Sequence, residues 1–430
     1  MRIPLLLPSI PPLLVAQPPL TLQDAVSAAL REQPRLRAAE EGLKAAEARA
    51  EGAALNQLGR FETTYLYTPS QKPLEIVFPG VPPLIPAATF EVKTLQKHSF
   101  QATFTQPLWT WGALTKLTAA ARQERDASRL GLDRTRQQTA FDAAKAFLTA
   151  AQAQEALVVS EQALEQQRAF HKVATSRFEA GAAPKLDLLK AELAVARAES
   201  DLLQTRNHAK LAREVLVSVT FDPRFRDLPL GGMSAEAGDL LTEDVALTRA
   251  ISQRTDLQAQ DRQARSAELG SQAAKASGLP AVAFRAGVTQ QNDEFSKAFN
   301  KSSQLYQAGL AVTWEGFSPL RSRAKAAELK AQSTALRHGM KALESGVALE
   351  VRSALLNVRE ARERALVEAR AVTVAEEQAR VARLAYREGV LTSVEAQEAE
   401  LALTSAKFKQ IYADLDAALA QQSLRFAMGE

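Results

Sequence analysis

Four histidines, His98, His171, His208 and His338, are the only imidazoles in the chain, and no two stand at a metal-ligating spacing. There is no cysteine. Thiolate nucleophiles, disulfides, sulfur-ligated zinc and a lipid on an N-terminal cysteine are therefore excluded. No Gly-x-Ser-x-Gly elbow, phosphate loop or dinucleotide fingerprint occurs. These absences argue against an enzyme and call for no cofactor and no metal. The acidic residues that draw notice follow two glycine turns. Asp187 lies just after Pro184, and Glu395 and Glu398 follow Thr392. Thr392-x-x-Glu395 has the spacing of a capping box, in which the two side chains satisfy each other's backbone amides at a helix start. Asp187 and Glu398 fall in first and second helical turns, where the positive end of the helix dipole favours acids.

The turns that carry these acids join very long helical runs. A one-face pattern (Ala140, Phe141, Ala144, Phe147, Leu148, Ala151) sits in a run from about Leu114 to Ala180 that no proline interrupts. A rod of this length, roughly 100 Å at 1.5 Å per residue, implies a coiled coil or similar extended assembly. Gly181 ends it, and Pro184 opens a returning helix to about Thr220, the usual placing of glycine after a helix and proline at the start of one. A second long run spans about Pro319 to Glu388, Gly389 ends it, and Thr392 opens the return to Met428.

The chain thus states one plan twice. RFEAGAAPKLDLLKAEL (177–193) corresponds to AYREGVLTSVEAQEAEL (385–401). An internal duplication fixes architecture before single residues do. We expect a first repeat over 20–220, a linker over 221–239 (FDPRFRDLPLGGMSAEAGD) and a second repeat over 240–430. Each repeat opens on a helical segment. In the first, Thr21 caps a helix that bends at Pro34 before a second helix runs to about Leu58.

The 430 residues are 46% hydrophobic, much of it alanine, the strongest helix former. The formal charge is only +4 against 53 basic and 49 acidic residues, interleaved along the helices as on a solvated surface. No basic stripe of the kind that binds nucleic acid is present. Residues 1–19, MRIPLLLPSIPPLLVAQPP, read as a secretory signal with a cut after Ala16. No later run approaches the roughly 20 apolar residues of a spanning helix, so a membrane crossing would have to use strands.

Four segments switch from helical periodicity to a period of two: about 60–69, 98–109, 280–290 and 304–315. Phe61, Thr63, Tyr65 and Tyr67 share one face of the first, and Tyr306, Ala308, Leu310, Val312 and Trp314 one face of the last. The alternation fits tilted barrel strands with apolar residues outward. It fits a half-buried strand of a small soluble sheet equally well. Trp109, Trp111 and Trp314, at the ends of the second strands, suit a membrane–water boundary or packing at a strand–helix junction. The segment between the first two strands is long and proline-rich, and 291–303 is short and polar.

In this order the elements resemble the TolC family of outer-membrane efflux channels. LTLQDAVSAALREQPRLRAAEEGLKAAEA is similar to the family's N-terminal helix pair. QPLWTWGALTKLTAA and VTWEGFSPLRSRAKAAE are similar to its strand-to-helix junctions, and RFEAGAAPKLDLLKAEL to its first hairpin tip. The resemblance covers nearly the whole chain after residue 19. It implies a mainly α fold with a small β part: long α-helical hairpins in an α-barrel or coiled coil, plus four transmembrane β-strands per chain in a trimeric, twelve-stranded barrel. It implies an outer-membrane localisation with the helical part in the periplasm. The implied partners are two further copies, a periplasmic adaptor (membrane fusion protein), an inner-membrane pump and outer-membrane lipid. The implied role is multidrug export or type I secretion without catalysis. Carrying the family's gate positions over gives Asp187, Tyr386, Glu395 and Glu398, with Leu391 where the best-known members place a basic residue. Threefold rings of Asp187, Glu395 and Glu398 would attract cations, and crowding would raise their pKa values. A soluble periplasmic adaptor or coiled-coil scaffold is the alternative that long hairpins alone would allow.

Overall fold

The computed structural model describes residues 19–68, 74–92, 98–232, 241–292, 295 and 304–430. The signal-like segment lies outside them apart from Pro19. Helices α1 (Leu22–Glu32) and α2 (Pro34–Leu55) lead into strands β1 (Arg60–Tyr67), β2 (Leu74–Phe78), β3 (Ala88–Val92) and β4 (His98–Trp109). Then come α3 (Ala113–Glu179), α4 (Lys185–Thr220) and the short α5 (Arg224–Asp227). The second half holds α6 (Glu243–Gln253), α7 (Thr255–Ser277), β5 (Ala281–Asn292), β6 (Gln304–Thr313), α8 (Ser318–Arg387) and α9 (Ser393–Met428). Apart from the short α5, the halves match helix for helix. α1 and α6 have 11 residues each, α3 and α8 have 67 and 70, and α4 and α9 have 36 each.

Contacts divide the chain into two compact units. One holds the described residues up to Glu40, Gly131–Leu257 and Ala342–Glu430; the other holds Glu41–Leu130 and Gln258–Lys341.

The second unit contains an antiparallel sheet in the order β1-β4-β5-β6. The strand pair β4–β5 joins the two repeats, and its register sorts side chains by face. Phe61, Phe104, Ala286 and Ala308 form one cross-strand row. The next row is Glu62, Thr103, Gly287 and Gln307. Alternation in sequence has thus become one apolar and one polar face. Phe61, Tyr65, Tyr306, Leu310 and Val312 stand exposed. β1 and β6 are the edges of this sheet. The described part of the proline-rich segment between β1 and β4 holds regular structure that its composition does not suggest. β2 and β3 pair there as a separate hairpin that sets Ile76 opposite Phe90.

The helices of this unit approach closely because small residues face each other. Ser266 reaches the Ala120 carbonyl at 3.0 Å, Ser271 the Ala326 carbonyl at 2.7 Å, and Ser333 the Ala264 carbonyl at 2.9 Å. A hydroxyl on a one-carbon arm can bond a neighbouring backbone only where no larger side chain keeps the helices apart.

In the first unit, Phe147 anchors a cluster of Ala25, Ala28, Ala150, Ala151, Ala212 and Leu216. Thr21 and Asp24 form a reciprocal capping box at the start of α1. Part of the segment read as a linker is packed. Phe225 is fully buried, Leu20 bridges Leu230, and the Arg213 guanidinium donates to the Arg226 and Leu228 carbonyls at 3.1 and 2.8 Å.

Arg254 supplies a second anchor. Its guanidinium is 5% exposed, lies 2.6 Å from Asp256 and pairs with Glu350 on α8. Arg134 on α3 lies 3.8 Å from Asp256 and stacks 3.9 Å from the centre of the Phe426 ring. Gln137 donates to the Gly429 carbonyl, so the end of α9 is held by α3. Breaking a buried pair by removing one partner leaves an uncompensated charge. Arg254→Met should therefore cost about 3 kcal/mol or more of unfolding free energy in urea titrations, against under about 0.5 kcal/mol for the exposed Arg37→Met.

Candidate functional site

Both hairpin tips lie in the first unit. α3 ends where Gly181 takes φ +73°, and the Ala182 amide reaches back to the Arg177 carbonyl at 2.8 Å. α8 ends in the same way. Gly389 takes φ +78°, and the Val390 amide donates to the Ala385 carbonyl at 2.9 Å. Glycine suits both positions because a side chain is strained in that left-handed region. The returning helices start differently. Pro184 flanks α4 without a side-chain cap. Thr392 accepts from the Glu395 amide at 3.3 Å, while the Glu395 carboxylate accepts from the Thr392 amide at 2.9 Å and its hydroxyl at 2.6 Å.

The helices of both tips share one small core. It comprises Phe170 and Ala174 from α3, Ala191 from α4, Tyr386 from α8 and Ala396 from α9. Tyr386 is 3% exposed, and its ring stacks on Phe170 with centroids 4.8 Å apart. The Arg177 guanidinium lies 4.8 Å from the centre of the Tyr386 ring and donates to the Tyr386 carbonyl. The Tyr386 hydroxyl is buried without a hydrogen-bond partner. Burial pushes its phenol up, Arg177 opposes that, and the charge of Asp187 adds to it.

A buried carboxylate lies beside this core. Glu400 is 3% exposed, and one of its oxygens pairs with Arg383 Nε at 3.0 Å. The other oxygen has no partner. Burial raises the Glu400 carboxyl, with Arg383 and Lys407 opposing. Among the described residues, Tyr386 Oη, Ser393 Oγ, Gln397 Nε2 and Glu400 Oε2 form a group of buried, unpartnered polar atoms in the second tip.

The residues singled out in the sequence divide between two places. Tyr386 and the half-buried Asp187 belong to the side where the two hairpins meet. Glu395 and Glu398 are exposed and line a groove with Leu391, Val381 and Glu377. In the single chain, hydrogen bonds from Thr392 hold the Glu395 carboxyl below its ordinary range. Sequence reasoning missed Arg177, Phe170, Arg383 and Glu400. One signal was available for Arg177. In the aligned repeats it stands opposite Ala385, so its charge occurs in only one copy.

In the second unit, the three tryptophans mark the strand–helix junctions. The Trp111 indole donates to the Pro280 carbonyl at 2.8 Å and that of Trp314 to the Gly278 carbonyl at 3.3 Å. Trp109 packs edge-on against Trp111 with centroids 5.9 Å apart, and all three rings remain largely exposed. No described helix is long and apolar enough to cross a membrane, and no metal-binding cluster occurs among the described residues.

The family model "Outer membrane efflux protein" matches residues 25–220 and 246–430, one match in each repeat. The chain belongs to the outer membrane efflux protein family. It is an outer-membrane protein whose work is export across that membrane. Its relatives are transport channels rather than enzymes. No curated protein sequence matches it significantly. Solved structures share its fold at low identity. The outer membrane protein VceC of Vibrio cholerae is 17% identical with a TM-score of 0.80, over 95% of this chain and 96% of VceC. The CmeC outer membrane channel of Campylobacter jejuni is 14% identical with a TM-score of 0.79, over 95% of this chain and 85% of CmeC. The MtrE outer membrane channel of Neisseria gonorrhoeae, in its open state, is 18% identical with a TM-score of 0.77, over 95% and 88%.

The buried Glu400 gives this efflux protein a pH signature. Its folded-state pKa lies above the unfolded value, so the folded chain binds the extra proton and stability falls as pH rises from about 4.5 through the raised pKa. Urea midpoints of the wild type and Glu400→Gln, compared from pH 4 to pH 8, should show the wild type losing ground to the variant over that window and a constant difference above it. A constant difference throughout the range would remove Glu400 as the source.

Proposed function

We propose that three copies of this chain pool their sheets into one twelve-stranded barrel in the outer membrane, with the hairpin tips forming its periplasmic gate. The observation that carries this reading is the open sheet, whose edges β1 and β6 have no partner among the described residues. Hydrocarbon offers nothing to the free N–H and C=O groups of such an edge, so a spanning sheet has to close. Four strands are too few to close a barrel, and three sets of four suffice. The exposed face that includes Phe61, Leu310 and Val312 would then face lipid, with Trp109, Trp111 and Trp314 at its boundary.

At the gate, threefold symmetry turns Asp187, Glu395 and Glu398 into rings of carboxylates that select for cations. Gly181, Pro184 and Gly389 shape the turns that present them. Tyr386 packs the tip. A periplasmic adaptor and an inner-membrane pump complete the route, and the gate opens when they engage it. Family membership and the placement of the tip residues support this reading.

Two measurements test the reading. The full chain, extracted in mild detergent and left unheated, should migrate at three times the 46.6 kDa of one chain; a monomer in detergent and in membranes would overturn the barrel. In planar bilayers, the triple variant Asp187→Asn, Glu395→Gln, Glu398→Gln should lose most of the wild type's preference for potassium over chloride, read from the reversal potential. Unchanged selectivity would remove these carboxylates from the role.

A further inference from the structure

We propose that the β2–β3 hairpin is a membrane anchor, its apolar turn seated in the lipid surface around the external mouth of the barrel. The proposal rests on the barrel reading above and adds a lipid contact outside the sheet. In each repeat the helices join the same ends of the strands, α2 and α3 at β1 and β4, α7 and α8 at β5 and β6. The register places Tyr67, His98 and Asn292 together at the opposite end, where both strand-to-strand connections leave. With the helices in the periplasm, that end opens outward. The two connections differ in chemistry. Residues 293–303 include Asp293, Glu294, Lys297 and Lys301. Residues 76–90, IVFPGVPPLIPAATF, carry no charge, and Thr89 has their one polar side chain.

The hairpin keeps this apolar surface open. Ile76, Phe78 and Phe90 share one face, where the Phe78 and Phe90 rings meet edge-on with centroids 5.6 Å apart, and Val77 lies on the other. All four are exposed, and Leu84 at the turn is 83% exposed. A two-stranded hairpin is marginal in water by itself, and an exposed apolar patch of this kind marks a contact. The backbone of the turn favours lipid as the other side of that contact. Pro79, Pro82, Pro83 and Pro86 have no N–H to satisfy. The Leu84 and Ile85 amides both donate to the Val81 carbonyl, at 2.8 and 2.9 Å. A Cβ on Gly80 would collide with the Ile85 carbonyl, so glycine lets the two arms close tightly there. Hydrocarbon admits backbone whose polar groups are satisfied internally, and this turn has few left over. A protein partner would be met with about one hydrogen bond per 100–200 Å², for which the turn has few donors to offer.

The chain has no cysteine, so Leu84→Cys takes one fluorescent label per chain. The full protein is placed in phosphatidylethanolamine–phosphatidylglycerol vesicles that carry nitroxide lipids, with unheated gel migration as the check on assembly. A nitroxide near the headgroup should quench the Leu84 label about twofold or more, and one near the chain end should quench it less, as for an element about 5–10 Å into the surface. Phe61→Cys on the apolar face of the sheet should be quenched and Glu62→Cys on the polar face should not. Adding Ile85→Asp beside the Leu84 label should abolish its quenching, because a charge opposes entry into lipid. Quenching at Phe61 without quenching at Leu84 would overturn the anchor and leave the barrel standing. A blue-shifted but unquenched Leu84 label would overturn it too, since a neighbouring copy would then cover the turn. Quenching that survives Ile85→Asp would overturn it as well, because the label rather than the hairpin would be seeking lipid. If Leu84→Cys fails to assemble, Val81→Cys is read by the same criteria. No quenching at Phe61 or Leu84 would instead fail the barrel reading, and the anchor with it.

Discussion

Close approach of small residues is the constraint on which this structure depends. Helices of 67 and 70 residues can run beside partners along their length only if few side chains hold them apart, and alanine fills most of the buried positions. Each alanine buries little apolar area, so the stabilisation per residue is modest. Specific anchors make up the difference at intervals. Phe147 and Phe225 provide bulk, serine hydroxyls bond neighbouring backbones, and Arg254 ties α8 to the start of α7. A chain built this way is uniform along its rods and individual at a few points, and those points set the register.

Among the described residues, most polar groups without partners lie in two regions of the chain. In the sheet they are the backbone groups of the β1 and β6 edges. In the second tip they are the buried atoms of Tyr386, Ser393, Gln397 and Glu400. Both kinds are costly where water is excluded. A sheet edge invites another strand. On the proposed reading of a barrel that assembles and a gate that moves, both regions hold hydrogen bonding in reserve.

Much of this was legible in the sequence because it is local or periodic. The change from a period of 3.6 to a period of two marked β1, β4, β5 and β6, and the register then sorted Phe61 and Glu62 to opposite faces. Thr392-x-x-Glu395 announced the capping box by spacing alone. What stayed hidden is long-range or disguised. Arg177 and Tyr386 are 209 residues apart in sequence, and nothing nearby marks either as the other's partner. Arg254 and Glu350 are 96 apart. Prolines around LEIVF concealed the β2–β3 hairpin, and a glycine-containing, charged stretch concealed the packing of Phe225. Family resemblance supplied positions such as Leu391, and geometry alone showed that Arg177 meets Tyr386.

The duplicated hairpins are nearly equal in length but not in how their return helices begin. α9 starts from a reciprocal threonine–glutamate lock, while α4 starts from a proline with no side-chain cap. Such a lock resists fraying by about 1 kcal/mol. Doubling a segment yields two interchangeable copies, and a change of that size at one helix start is enough to end the equivalence. On the proposed trimeric reading, a pore built from six like elements then contains two kinds of helix start, one locked by side chains and one not.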